Sequence, residues 1–233
     1  MITQKTALLL IGSAKPAGES SSESLGGCLA RGLKERGIAT RTVHLAHALR
    51  TEERTNDLLN AVDASDIVVM AFPLYVDGVP YLATRALERI AAHRRNRIAP
   101  APATFLAIAN CGFPEAAHNA TALEICRQFS EEAGFAWAGG LAMGAGGFVS
   151  GRPLAQLSGM VNNVLTALDM VAEALAAGEP APEEAAALMA RPIIPSSAYT
   201  WMGNLGWMMT ARRNRVLTRL GARPFDPRKG RHV

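Results

Sequence analysis

Three short stretches of this chain carry residues whose types and spacing could do chemistry. The first reads Gly12-Ser13-Ala14-Lys15-Pro16-Ala17-Gly18-Glu19-Ser20-Ser21-Ser22-Glu23-Ser24, with four serines in the five positions 20–24 and a lysine ahead of them. Hydroxyls and backbone amides gathered where a helix begins form an anion site. The first-turn N–H groups lack intrahelical acceptors, and the helix dipole favours negative charge there. So many converging donors suit a phosphate better than a carboxylate. The stretch lacks both G-x-G-x-x-G and G-K-[ST], so it is neither a dinucleotide fingerprint nor a Walker loop. The plainer alternative is a solvated serine-rich turn in which Ser22 only caps the helix.

The second stretch, Phe72-Pro73-Leu74-Tyr75-Val76-Asp77-Gly78-Val79-Pro80, sets a tyrosine and two apolar residues beside a glycine that permits close backbone approach. Such a loop can offer a stacking surface and backbone donors to a flat heterocycle. Its alternative is a connection in which Tyr75 packs on a neighbour. The third stretch is Asn110-Cys111-Gly112-Phe113-Pro114-Glu115-Ala116-Ala117-His118. Cys111 acts as a nucleophile only with a base in reach and a lowered pKa. His118 is the candidate base, but no third residue stands out to orient it, so a small packed thiol at a strand end is the expected role. Cys28 and Cys126 fall on apolar helix faces, and His44, His47 and His93 read as surface or helix-end residues.

The elements that must position these stretches are legible as alternating apolar runs and amphipathic segments. Thr6–Ile11, Asp66–Phe72 and Thr104–Asn110 are short continuous apolar runs, the pattern of strands buried on both faces. Residues 39–45 make a weaker strand, and Ala136–Met143 a fifth built of small residues. Helical spacing predicts helices over 24–36, 55–64, 79–93, 116–133 and 153–177, with Pro80 in a first turn, where its missing N–H costs nothing. Five alternations of strand and helix give a doubly wound parallel α/β domain over residues 1–178. Ligands of such sheets bind beyond the carboxyl ends of the strands, where the strand order reverses. All three stretches follow strands and so fall at that edge.

Residues 179–233 differ in composition. From Arg191 onward there are nine basic residues and one acid, Asp226, so this part carries +8 while the first 190 residues carry −4. The overall +4 therefore describes a basic tail on a mildly acidic body, and nucleic acid is not an expected partner. Ser197–Met209 clusters two tryptophans with methionines, and Gly203 and Gly206 are expected to interrupt a clean helix there. The expected role is docking on the body or across a homodimer. The alternative is contact with an anionic membrane or an acidic partner. Three widely spaced cysteines offer neither a disulfide framework nor a metal clip, and no metal site is expected. No run reaches membrane-spanning length, and the amino terminus lacks a cleavage pattern, so a reduced, cytoplasmic protein is expected.

The three stretches also resemble a known family. G-S-A-K-x-x-G-x-S-S-S-E-S-L is similar to the GSPR-type phosphate loop of the NAD(P)H-dependent FMN reductases and flavodoxin-like oxidoreductases. D-I-V-V-M-A-F-P-L-Y-V-D-G-V-P resembles their P-x-Y-x-x-x-x-P flavin loop, and N-C-G-F-P-E a third flavin-edge loop of some members. The likeness runs over residues 6–149. It implies a flavodoxin-like three-layer sandwich with a five-stranded parallel sheet of order 2-1-3-4-5, a C-terminal helical extension, and FMN at the point where the order reverses.

Carried across position by position, Ser13, Lys15, Ser20, Ser21 and Ser22 would hold the FMN phosphate. Pro73, Leu74, Tyr75, Val76 and Gly78 would border the isoalloxazine ring, and Asn110, Cys111, Gly112 and Phe113 would reach its other edge. The resemblance implies an oxidoreductase that passes hydride from NAD(P)H through flavin N5 to a small acceptor such as a flavin or quinone, with no residue assigned a catalytic role. A flavodoxin-type electron carrier without its own turnover is the alternative. Two departures stand out. Ala14 and Lys15 replace the usual proline and arginine, which removes a bidentate fork. The compact cysteine cluster of the iron–sulfur flavoproteins is missing, which excludes that branch.

Overall fold

The computed structural model describes residues 4–95, 103–157 and 159–222. The chain divides into two compact units, Met1–Ile193 and Ile194–Val233. In chain order the first contains β1 (Thr6–Ile11), α1 (Ser21–Glu35), β2 (Ala39–His44), α2 (Leu45–Ala48), α3 (Glu52–Asp63), β3 (Ile67–Pro73), α4 (Tyr81–Arg94), β4 (Thr104–Asn110), α5 (Ala120–Glu132), β5 (Ala136–Met143), α6 (Asn162–Ala177) and α7 (Glu183–Met189). The second contains α8 (Ser196–Arg213).

The five strands form one parallel sheet of order β2-β1-β3-β4-β5. The order reverses at β1 and β3, so the loops leaving these two strands diverge and open a crevice at their carboxyl ends. Side chains alternate across the sheet. Leu9 and Ile11 of β1, Val69 of β3 and Ile108 of β4 join α1 and α6 in one core, while Leu8, Leu10, Met70 and Phe105 join α3, α4 and α5 in the other. Because both faces are covered, the central strands read as unbroken apolar runs.

The amino-terminal edge of the sheet is closed by paired polar groups. Asp66 Oδ2 accepts from the Thr6 amide at 2.7 Å. The buried Arg94 donates through Nε to the Ala133 carbonyl at 2.8 Å, lies 3.5 Å from Asp63, and covers the Phe135 ring at 4.1 Å. The carboxyl edge is the one left for loops.

Several helix boundaries differ from the sequence expectation, each for a local reason. Helix α1 starts at Ser21 because Ser20, and not Ser22, is its cap. Pro80 is the residue before α4 and not part of its first turn. The segment after β4 begins with a 3-10 turn, Ala116–Asn119, before α5. Helix α6 begins at Asn162, since Leu154–Leu157 forms a separate 3-10 turn and Gly159 takes a left-handed conformation between them. Residues 179–193, grouped by composition with the tail, pack with the first unit. The Ala181 amide donates to the Ala138 carbonyl at 2.7 Å, and Ala185 and Met189 are fully buried in the α6 core.

Candidate functional site

The loop after β1 is shaped at its start by Gly12. Its amide donates to the Ala71 carbonyl at 2.8 Å, and a Cβ there would lie 2.9 Å from Phe72 Cβ. Only glycine lets β1 and β3 approach so closely as they diverge. Beyond it Ser13 is buried, and its hydroxyl accepts from the Lys15 amide at 3.2 Å. Residues 14–19 are exposed, including the Lys15 ammonium and the Glu19 carboxylate.

The three serines sit where the sequence places them, at the start of α1, and their hydroxyls are engaged by the protein itself. Ser20 Oγ accepts from the Glu23 amide at 3.1 Å, and Glu23 reaches back to the Gly18 amide at 2.6 Å. This is a variant of the capping box in which the acid accepts from an amide two residues before the cap and not from the cap's own amide. Ser21 Oγ donates to the Gly146 carbonyl at 2.6 Å and accepts from the Ser150 amide at 3.1 Å. Ser22 Oγ accepts from Asn110 Nδ2 at 2.9 Å. All three residues are buried. Ser20 and Ser22 serve as acceptors in these bonds, which leaves each O–H without an acceptor among the described residues. Ser21 is fully committed to holding the loop after β5, and Ser20 and Ser22 hold the helix start and the β4 end.

Asn110 ties the edge together. Its Nδ2 donates to Ser22 Oγ and also, at 3.1 Å, to the Phe72 carbonyl, while its own carbonyl accepts from the Leu74 amide at 2.7 Å. The buried Asn110 side chain thus links the end of β4 to the start of α1 and the end of β3, and its main-chain carbonyl holds the first residue after β3. The loop after β5 completes the set. The Gly146 amide donates to the Cys111 carbonyl at 2.8 Å and the Ala145 amide to the Phe113 carbonyl at 2.6 Å. Gly151, at φ +80°, lies so close that a Cβ would overlap the Gly18 carbonyl. The sequence reading passes over Gly146, Ser150 and Gly151, although the run GAGGFVSG has the small residues that close packing requires.

The loop after β3 projects outward. Tyr75 and Gly78 exchange two backbone hydrogen bonds of 3.2 Å around a two-residue tip, Val76 and Asp77, both at positive φ (50° and 54°). This is the geometry of a type I′ turn. A β-branched residue in the left-handed region is strained, and Val76 is fully exposed there. Pro73 and Leu74 are half-buried, and Tyr75 is exposed. In the loop after β4, Phe113 and Gly112 are exposed and Cys111 is buried.

The structure separates Cys111 from any base. Its thiol lies 3.5 Å from the Phe113 and Glu115 carbonyls, and burial pushes its pKa up from the ordinary value. His118 instead stacks on Phe113, with ring centroids 4.5 Å apart, and faces Glu115 at 4.0 Å. Cys111 is thus a neutral packing thiol. His44 has a partner that the sequence does not reveal, Glu23 at 3.3 Å, which braces the capping box from the end of β2. Among the described residues, no cluster of three His, Cys, Asp or Glu side chains is placed to hold a metal ion.

The architecture of this sheet and its covering helices recurs in solved structures. An apo NADH:FMN oxidoreductase superimposes with a TM-score of 0.59 at 14% identity, over 84% of this chain and 98% of its own. The chain has the flavodoxin-like fold. An FMN-dependent NADH-azoreductase from Bacillus anthracis, in complex with FMN, aligns at a TM-score of 0.54 and 10% identity, over 74% of this chain and all of its own (100%). A flavodoxin from Streptococcus pneumonia TIGR4 aligns at 0.53 and 14% identity, over 74% of this chain and 99% of its own. No family model and no curated protein matches the sequence. The flavodoxin-like fold is thus shared at the level of architecture, with the sequence far diverged.

The donor chemistry of the edge can be tested against FMN, the group this fold implies. Within the first loop the amides of Lys15, Gly18 and Glu19 are used internally, whereas those of Ser13, Ala14 and Ala17 find no acceptor among the described residues. Together with the Lys15 ammonium they fit a phosphate in kind. Tyr75 and Phe113 are exposed aromatic side chains on the two flanking loops, the chemistry a flat ring system requires. The residues present fit the group, with the loop amides adding donors beside the Lys15 and serine side chains that the resemblance names.

Proposed function

We propose that this protein is an FMN-dependent oxidoreductase that takes hydride from NAD(P)H and passes the electrons to a small acceptor. The observation that carries the reading is the tying of the α1 start and the β3 end to the end of β4 through Asn110, at the carboxyl edge of the sheet where the strand order reverses. When bound, FMN would supply the redox centre between the nicotinamide and the acceptor. The Lys15 ammonium and the amides of Ser13, Ala14 and Ala17 would hold its phosphate. Tyr75 and the backbone of the Leu74–Gly78 loop would flank the ring on one side, and Gly112 and Phe113 on the other.

Asn110 acts as a positioning residue, fixing the distances between these loops. The protonated Cys111 thiol supplies packing and takes no covalent role. No side chain at this edge is required as a general acid or base. The test is an absorbance spectrum of the purified protein with added FMN, before and after anaerobic NADH or NADPH. Bound flavin that bleaches with a nicotinamide supports the oxidoreductase. Bound flavin that does not bleach assigns the protein to the carriers, and failure to bind FMN in excess overturns the reading.

A further inference from the structure

We propose that α8 is a peripheral membrane element, whose apolar stripe and terminal arginines seat on an anionic lipid surface. The inference stands apart from the flavin reading and rests on the second unit alone. Despite Gly203 and Gly206, α8 runs without a break from Ser196 to Arg213, which corrects the interruption expected from the sequence. Its length is about 27 Å at 1.5 Å per residue. On the helical period Trp201, Leu205 and Met208 fall in line, flanked by Met202 and Met209, and all five are exposed, Trp201 at 66% and Met209 at 64%. The other flank carries Ser196, Thr200, Gly203, Asn204 and Thr210, with Trp207 as its apolar exception.

The charge pattern says what covers the stripe. Arg212 continues its line at the carboxyl end, and Arg213, Arg215 and Arg219 follow, all exposed. No Asp or Glu occurs between Arg191 and Asp226. Two parallel copies pairing stripe to stripe would bring these arginines together, and an antiparallel pair would set them over the partner's amino-terminal turn, which carries no acid to receive them. A nucleic acid would neutralise the arginines and leave the stripe in water. An anionic bilayer surface satisfies both at once, taking the apolar side chains at the headgroup boundary and the guanidinium groups at the phosphates. Tryptophan beside arginine suits that boundary. No helix among the described residues is long and apolar enough to cross the membrane, so α8 would lie in the plane of the interface.

The test is co-sedimentation of the full chain with vesicles of phosphatidylglycerol and phosphatidylcholine, beside vesicles of phosphatidylcholine alone. Binding to the anionic vesicles at low salt, with release at high salt, is expected. Leu205→Glu, or Arg212→Glu with Arg213→Glu, should weaken it by at least about tenfold. Far-UV circular dichroism checks that each variant folds, and Trp201→Ser serves as a milder change on the same stripe. Absence of binding, or binding indifferent to all of these substitutions, overturns the proposal. So does a lipid-free dimer, seen by sedimentation velocity, that dissociates on Leu205→Glu, because it assigns the stripe to a second copy.

Discussion

Helices α6 and α8 both carry apolar side chains at helical spacing and meet opposite fates. Val164, Leu168, Val171 and Leu175 of α6 are wholly buried against α1 and the sheet, and Asp169, on its outer side, pairs with Arg36 of α1 at 2.8 Å. The stripe of α8 stays exposed, is made of tryptophan, methionine and leucine, and ends in arginines. Periodicity alone reveals that a face exists. What covers it is written in the residues at its margin. Branched aliphatic side chains with an ion pair to a neighbouring helix mark a core face, whereas large adaptable side chains beside an unopposed cationic cluster mark a surface for something else.

The contrast is broken most severely by placing a charge in each stripe. Val171→Asp would bury an unpaired carboxylate and should cost at least about 4 kcal/mol. Leu205→Asp should change stability by less than about 0.5 kcal/mol in the lipid-free protein. Urea unfolding followed by far-UV circular dichroism measures both, and equal effects would mean that α8 is a core helix. The same division holds for glycine. Gly12→Ala drives a Cβ against Phe72 and should cost about 2–3 kcal/mol, while Gly203→Ala, in an open helical position, should gain about 0.5–1 kcal/mol.

Asn110→Ala leaves Ser22 and the Phe72 carbonyl without their buried donor and should cost about 1–2 kcal/mol. A pH-dependent effect comes from a buried thiol. Burial pushes the Cys126 pKa up to about 12 from an ordinary value of 9.0. The unfolded chain therefore loses this proton first as pH rises, so the thiol's contribution is intact below pH 9 and is lost progressively as pH rises toward 12. The stability difference between the native protein and Cys126→Ala should shrink by about 1 kcal/mol between pH 8 and 10. A difference that stays constant over that range would show that the thiol is not held neutral by burial.

Where the sequence could be read, the cause was local. The runs at Thr6–Ile11 and Thr104–Asn110 match β1 and β4 residue for residue, because central strands are buried on both faces and leave continuous apolar runs, and Ala136–Met143 matches the small-residue edge strand β5. The strand order came from resemblance, and the sheet confirms it. What local pattern could not show was partnership at long range. Ser21 meets Gly146 and Ser150, and Ser22 meets Asn110, each across more than eighty residues, so these two hydroxyls brace elements far apart in the sequence. His118 lies near Cys111 in sequence yet stacks on Phe113, since the tight turn after β4 directs the two side chains to different partners. The continuity of α8 was obscured by two glycines whose helical cost is modest beside a run of good helix formers.

The central claim is that the edge organised by Asn110 binds a flavin, and equilibrium titration of FMN, read by quenching of its fluorescence, tests it most directly. The full chain should bind one FMN saturably, and Lys15→Glu, at an exposed position that leaves the fold intact, should weaken binding by at least about tenfold. Absence of saturable quenching, or an affinity that Lys15→Glu leaves unchanged, would contradict the account.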